Sequence, residues 1–259
     1  MRFHHLIQPE TVEEALEWAK KPNAVILGGA MWLHLQNRTV EHAVDLSRLG
    51  LDKIEETEDG IRIGAYVTLR QLETNPLFTK YSCGANKTAL SPIVGVQFRN
   101  TATVGGSVFG RFGFSDVTTL FSALGTSVCL AGAGTIPTEQ FVRDGAPRDV
   151  LTHILLPKEA PDGAAAQSQR NTATDFPVLT TAVCRRGEKV RVSLSPAPLR
   201  CHSADFSVDE LPRIPDKIAD SIAFRADRAA SAEYRKHLCR VLLKRALASM
   251  GGSEDGTEI

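Results

Sequence analysis

The chain lacks any apolar run approaching the roughly 20 residues a helix needs to cross a bilayer. Its start, MRFHHLIQPETVEEA, has no apolar core of signal-peptide length and turns acidic at once. The expectation is a cytoplasmic protein without a membrane partner. Charge imbalance is missing too: basic and acidic side chains stand at 30 each, so no global field draws nucleic acid or an acidic membrane. The five cysteines, Cys83, Cys129, Cys184, Cys201 and Cys239, are odd in number and never form a CxxC pair. That argues against a disulfide framework and against a zinc or iron–sulfur site within this chain. Small buried apolar residues are the expected role. The seven histidines are dispersed, with no HExxH spacing; His4 and His5, adjacent on a strand, would point to opposite faces. GxSxG is absent, and His237 and Cys239 lie two apart on a helix, so they do not face each other. Nothing resembles a nucleophile–base pair, and any chemistry is expected to belong to a bound cofactor.

What is present is ordinary in bulk. The 259 residues suit one large domain or two modest ones, and 42% apolar with 23% charged residues is a globular composition. PETVEEALEWAKK opens with a capping box, Thr11 with Glu14, and continues as a helical stripe stopped near Pro22. NAVILGGAMWLHLQN reads as a short buried strand, Ala24 to Leu27, meeting Gly28-Gly29, then a helical turn from Ala30 to Gln36. HAVDLSRL reads as a strand and turn. In GIRIGAYVTLRQL, Ile61, Ile63, Ala65 and Val67 face one way as a strand does, before a second capping box, Thr68 with Gln71. TSVCLAGAGTIPTEQF predicts a strand, a glycine-rich turn and a helix starting at Pro137. DVLTHILLP predicts a strand ended by Pro157. Residues 158–171, KEAPDGAAAQSQRN, read as a loop and domain boundary. Beyond it, two strands are expected around Arg186-Gly187-Glu188. A helix with an apolar face at Tyr234, Leu238, Val241, Leu242 and Ala246 follows, stopped at Gly251, and 251–259 form a frayed tail.

Two places are read as a buried β segment meeting adjacent glycines: Gly28-Gly29 and Gly105-Gly106. Glycine lets amides converge on a concave nest and lets a ligand approach without a Cβ in the way. Two nests could hold the two phosphates of one dinucleotide, with Thr103 and Ser107 as flanking hydroxyls. Paired glycines also occur in ordinary turns and bulges, so spacing alone leaves both readings open. Neither pair fits the Rossmann GxGxxG or the P-loop pattern, which disfavours those folds.

The segment RNTATVGGS…SD, from Arg99 to Asp116, resembles a pattern in the FAD-binding medium subunits of molybdenum hydroxylases of the xanthine dehydrogenase and carbon monoxide dehydrogenase type. VILGGAMWL is similar to their first glycine loop. VDLSRL…IRIGAYVTLRQLE, LTHILLP and SAEYRKHLCRVLLKRAL match in place and order, so the resemblance covers nearly the whole chain. It implies an α+β fold: a two-lobed FAD-binding domain of the vanillyl-alcohol oxidase or molybdopterin-dehydrogenase type over 1–157, with lobes of about 1–57 and 58–157. The 158–171 linker and a small α+β C-terminal domain over 172–250, usually with a three-stranded sheet, would follow.

The resemblance also implies roles. Gly28 and Gly29 would offer amides to the FAD pyrophosphate, with Leu27, Ala30, Met31 and Trp32 completing the loop. Thr103, Val104, Gly105, Gly106 and Ser107 would form a second wall. Asp116 would make a polar contact to the flavin with Ser115 beside it, and Ile93 would pack against the cofactor. Arg99 and Asn100 either lock the loop by hydrogen bonds or touch the ligand; both readings stay open. The chain departs from the family pattern at Ala30-Met31, where a Thr-Asp pair is usual, and at Ser107, where Asn is common. It also departs at Gln167, where some relatives carry a basic residue. The implied function is electron transfer through FAD: from 2Fe-2S clusters on a small ferredoxin-like partner, within a complex whose large subunit binds molybdopterin, to NAD or another acceptor. A scaffold subunit that has lost FAD and a stand-alone flavoprotein are the rival readings.

Overall fold

The computed structural model describes residues 1–250; Gly251 and the expected tail lie outside the described residues. Three sheets organise the chain. The first lobe holds β1 (Arg2–Ile7), β2 (Ala24–Leu27) and β3 (Thr39–Asp45), a parallel sheet of order β1-β3-β2. Parallel neighbours need a crossover, and the helix Val12–Ala19 supplies one, burying Ala15 and Ala19 against Val44 and Leu46. Thr11 caps it through the Glu14 amide at 3.1 Å, while the Glu14 carboxylate reaches the amide of Glu10 rather than that of Thr11.

The second lobe is a five-stranded antiparallel sheet of order β4-β5-β8-β6-β7. Its strands are β4 (Ile54–Thr57), β5 (Gly60–Gly64), β6 (Ser127–Leu130), β7 (Gly134–Pro137) and β8 (Leu151–Pro157). β4 pairs with β5, so the lobes part before Ile54 and not at 57/58. The turn Glu58-Asp59 closes that hairpin, and Gly60 sits at φ +137 with the Leu156 carbonyl 2.0 Å from where a Cβ would be. The glycine-rich stretch after β6 is a turn as expected, but it leads into β7, and the helix Thr138–Asp144 begins one residue after Pro137. Ile61, Ile63, Ala65 and Val67 are all buried, as their alternation predicted. The Thr68/Gln71 capping box opens the helix Leu69–Thr74, with bonds of 3.1 and 2.8 Å. Thr68→Ala is expected to cost about 1 kcal/mol, read as a lower urea midpoint with an unchanged slope; an unchanged midpoint would count against the cap.

The third sheet is antiparallel, of order β12-β11-β10-β9. It comprises β9 (Gly163–Arg170), β10 (Pro177–Arg186), β11 (Lys189–Ser195) and β12 (His202–Ser207), with Gly187 in the expected turn between β10 and β11. The reading of 158–171 as a loop is therefore corrected: 163–170 is a strand, only 158–162 connects, and the sheet has four strands rather than three. One face carries Val183, Val190, Val192 and Leu194 against Leu238, Leu242 and Ala246 of the helix Ala232–Met250. The opposite face turns Ala164, Ala166, Ala182 and Cys184 into the core of the second lobe, beside the helix Asp116–Ala123. Strand alternation explains the split, since successive side chains leave opposite faces of a sheet. Of the cysteines, Cys184 and Cys239 are buried as expected, whereas Cys83 is exposed. Among the described residues, no helix is long and apolar enough to cross a membrane.

Candidate functional site

A cleft of about 550 Å³ opens where the two lobes meet the β9–β10 hairpin of the third sheet. Its first wall is the loop after β2. Among the described residues, the six amides from Gly28 to Leu33 meet no protein acceptor within hydrogen-bonding distance. Ala30 turns the chain at φ +54, a left-handed conformation that costs a non-glycine residue energy and turns neighbouring amides into a shared concavity. Val94 (φ +49) and Arg148 (φ +60) line the same cleft. For a β-branched residue such as Val94 this conformation is an outlier, and such strain gathers at functional sites. Beneath the loop, Tyr66 donates to Asp45 at 2.9 Å and ties the lobes together. Burial, then the Asp45 carboxylate, push the Tyr66 hydroxyl up to about 12.

The second wall is the helix Val104–Phe109, capped by the Thr103 hydroxyl. Unlike those of the first wall, its amides are already engaged. The amide of Val104 donates to Val67 at 2.8 Å, Gly105 to Ala65 at 2.8 Å, Gly106 to the Thr103 hydroxyl at 3.2 Å and Ser107 to the Thr103 carbonyl at 3.0 Å. The Ser107 hydroxyl also donates to Thr103 O, at 2.9 Å. The expectation of two equivalent amide nests is thus corrected: the first pair leaves donors free, and the second offers surface.

The glycines also differ in what a side chain would meet. At Gly29 a Cβ would lie 1.8 Å from the Thr101 carbonyl oxygen, and at Gly105 2.8 Å from Ala65. These two let backbone segments pack on each other. At Gly28 it would lie 2.4 Å from the Thr103 hydroxyl; at Gly106 that same hydroxyl, 3.2 Å away, is the one atom within 4 Å. A side chain at Gly106 would therefore project toward the cleft that this residue lines.

Ser115 caps the helix Asp116–Ala123 by accepting from the Thr118 amide at 3.1 Å. Asp116 is buried, pairing with Arg170 through one oxygen and accepting from Thr180 at 2.6 Å through the other. Burial pushes its carboxyl upward against the pull of Arg170 and Thr180. Gln167 pairs with Thr181 in the β9–β10 ladder, and Ser168 pairs with Thr180. By alternation, Gln167 leaves the sheet on the face away from Asp116, while Arg170 shares the face of Ser168 and Thr180. Arg170, and not position 167, brings the positive charge to the cleft. Trp32, Phe112, Phe114 and Phe176 form an aromatic wall, with neighbouring ring centroids 4.3–5.8 Å apart.

Every expected site residue lines the cleft except Val104, which is fully buried in the core of the second lobe. The lining therefore brings together Leu27, Gly28, Gly29, Ala30, Met31 and Trp32 with Ile93, Thr103, Gly105, Gly106, Ser107, Ser115 and Asp116. Arg99 does not line it: its guanidinium is buried against Glu73 at 2.8 Å and holds the Ile93 carbonyl at 2.9 Å, the loop-locking alternative. Asn100 is exposed and outside the lining. Sequence reasoning missed Phe112, Phe114, Phe176, Arg170 and Tyr66. The aromatic spacing in RFGF, directly before Ser115-Asp116, was a usable signal; no local pattern marked Arg170 or Phe176.

Residues 1–159 match the family described as FAD binding domain in molybdopterin dehydrogenase. The xanthine dehydrogenase FAD-binding subunit of Escherichia coli O157:H7 is 28% identical over 271 residues, spanning 90% of this chain and 92% of the relative. The aldehyde oxidoreductase FAD-binding subunit of Escherichia coli K12 is 36% identical over a shorter 104-residue stretch, 38% of this chain and 32% of the relative. Among solved structures, a carbon monoxide dehydrogenase chain from Hydrogenophaga pseudoflava superposes with a TM-score of 0.85 at 22% identity, covering 97% of this chain and 98% of that one. A chain of quinoline 2-oxidoreductase from Pseudomonas putida 86 does so at 0.83 and 20%, covering 96% and 98%.

Proposed function

We propose, for a chain that belongs to the family of FAD-binding domains of molybdopterin dehydrogenases, that the cleft holds the FAD of an electron-transfer subunit in a xanthine dehydrogenase-like molybdenum hydroxylase. The chain is an FAD-binding subunit of an oxidoreductase of the molybdopterin dehydrogenase family. In the proposed complex, of xanthine or carbon monoxide dehydrogenase type, a small partner delivers electrons from 2Fe-2S clusters, a large partner binds molybdopterin and oxidises the substrate, and NAD or another acceptor discharges the flavin.

FAD supplies the electron-carrying chemistry when bound; the chain's own work is to hold, orient and shield it. The observation that carries the reading is the run of unpartnered amides from Gly28 to Leu33 in a loop that lines the cleft, opposite a glycine-bearing helix start whose amides are already engaged. Converging free amides suit a diphosphate. In this reading Leu27, Ala30 and Met31 shape the same loop, and Thr103, Gly105, Gly106 and Ser107 form the surface opposite. Ile93 and the wall of Trp32, Phe112, Phe114 and Phe176 offer apolar faces to a planar ring. Ser115 and Asp116 stand at its polar edge. The loss of a hydroxyl and a carboxylate at Ala30-Met31 removes contacts worth about 1 kcal/mol each, which leaves main-chain donors to carry binding.

Purification of the chain with its flavin absorption recorded tests the reading. A yellow protein, or a colourless one that takes up added FAD, supports it; a protein that refuses FAD favours the scaffold that the Ala30-Met31 departure suggests. Native co-purification tests the partners, and an active lone monomer would defeat the subunit role. Gly106→Val tests the placement: the side chain enters the cleft, so flavin uptake is expected to vanish while the melting temperature stays near wild type. Full occupancy in that variant would count against this site.

A further inference from the structure

We infer that Arg170 is a positioning residue that latches the C-terminal sheet onto the cofactor cleft, so that the β9–β10 hairpin is a working wall of the site rather than part of an appended domain. The inference rests on the flavin reading of the cleft, and it concerns a residue outside the glycine loops.

Arg170 is the last residue of β9, with a side chain only 8% exposed. It spends its donors on three segments. One terminal nitrogen pairs with Asp116, at the first turn of the helix that bounds the cleft; the other donates to the Ser168 hydroxyl, one sheet position back; and Nε donates to the Asp175 carbonyl at 3.1 Å across the hairpin. Thr180, opposite Ser168 in the ladder, adds its hydroxyl to the second oxygen of Asp116. The hairpin so fastened presents Thr174, Asp175, Phe176 and Pro177 to the cleft. Phe176 stacks on Trp32 and Phe114, which belong to the first lobe and to the loop before Ser115.

Other contacts hold the sheet at a distance from the hairpin tip: the Ser195 hydroxyl donates to the Gly113 carbonyl, and Arg186 reaches the Tyr81 hydroxyl and the Leu124 carbonyl at 3.0 Å each. At the hairpin itself Asn171 donates outward to the Ala229 carbonyl at 3.1 Å, away from the second lobe. The face that the sheet turns toward that lobe is mostly small, with Ala164, Ala166, Thr180, Ala182, Cys184 and Ser193, which permit close approach but have little shape to set a register. Phe176 itself is 47% exposed. The buried ion pair is the charged contact that joins β9 directly to the helix bounding the cleft. A planar guanidinium bonded to a carboxylate, a hydroxyl and a carbonyl fixes distance and angle together, which a lysine ammonium reproduces only in part.

The test uses the full chain and compares wild type, Arg170→Met and Arg170→Lys by hydrogen exchange resolved by peptide, with and without FAD, together with FAD titration and visible circular dichroism of the bound flavin. For Arg170→Met the expected result, beyond the general loss of protection that an unpaired buried Asp116 brings, is exchange without FAD accelerated most at residues 171–177, at least tenfold weaker FAD binding, and an altered flavin dichroism. Arg170→Lys should recover part of each. A role in fold stability alone would speed exchange across β9 to β12 together and leave the dichroism of bound flavin unchanged, and that result would overturn the inference. So would wild-type exchange at 171–177 in Arg170→Met. If the wild type itself refuses FAD, the cofactor reading falls, and the latch is then decided by the FAD-free exchange alone. Should Arg170→Met fail to fold, Arg170→Lys carries the test: intermediate FAD affinity and dichroism support positioning, and wild-type values for both overturn it.

Discussion

Arg99→Met is expected to destabilise the chain by about 3 kcal/mol and to lower the melting temperature by on the order of 10 °C. Arg99 and Glu73 form a nearly dry pair, their side chains 6% and 9% exposed, with bonds of 2.8 and 3.4 Å. Removing one partner of a buried pair leaves an uncompensated charge, which costs about 3–5 kcal/mol. The lower end applies because Arg70 still approaches Glu73 at 2.9 Å from a half-exposed position. The same substitution frees the Ile93 carbonyl, so the loop carrying Ile93 and Val94 into the cleft loosens and flavin affinity falls too. The pH dependence has a definite sign. Burial draws the Glu73 carboxyl upward, but hydrogen bonds from Arg99 and then Arg70 outweigh it and hold the group below its ordinary value. A depressed carboxylate stabilises fully above its unfolded pKa of about 4.3, and that contribution disappears as pH falls through the folded value. Thermal melts should therefore show the gap between wild type and Arg99→Met at pH 7 and its shrinkage below pH of about 4. A gap that widens in acid would refute the assignment.

Gly29→Val should abolish flavin uptake and destabilise the fold together. The added Cβ would lie 1.8 Å from the Thr101 oxygen, 2.6 Å from its carbonyl carbon and 3.0 Å from the Ala102 Cα. These atoms cannot easily retreat: the Ala102 carbonyl accepts from Leu69 at 2.8 Å, and the Thr101 amide donates to Phe98 at 3.1 Å. Forcing a side chain into such a contact costs about 1–3 kcal/mol through backbone displacement, and here the displacement separates the two walls of the cleft. The informative comparison is with Gly106→Val. Both variants should be colourless, but only Gly29→Val should melt early. A Gly29→Val protein with wild-type melting and full flavin would show that the loops need not touch.

The readable parts of this fold were those in which one local rule decided the outcome. Alternation at Ile61 and Ile63 named the buried face of β5, while Ala65 and Val67, equally buried, lie past the strand's end at Gly64. Thr68 with Gln71 marked a helix start to the residue. The two glycine pairs, 77 positions apart by numbering (105 minus 28), do meet across one cleft. What stayed hidden was set by neighbours distant in sequence. GAAAQSQR carries no β-branched or aromatic residue to signal a strand, and it extends because β10 supplies its ladder partners while small side chains fit between two packed layers. For the same reason the charge at the cleft was sought at position 167, although strand parity sends that side chain to the other face and leaves Arg170 beside Asp116. The difference between the two glycine pairs was equally illegible. Both sequences offer amides, and only the tertiary hydrogen bonds to Val67, Ala65 and Thr103 reveal that one set is already engaged.

The third sheet has one face in the core of the second lobe and the other under the C-terminal helix. Sharing a layer between two cores couples their melting, because neither can lose it alone. Severing the chain after residue 159, where the family match ends, would strip that layer from the helix Asp116–Ala123, whose every residue is buried in the intact protein. Heat should accordingly unfold the second lobe and the C-terminal sheet with its helix in one shared transition, and the isolated front piece should aggregate rather than persist as a smaller flavoprotein.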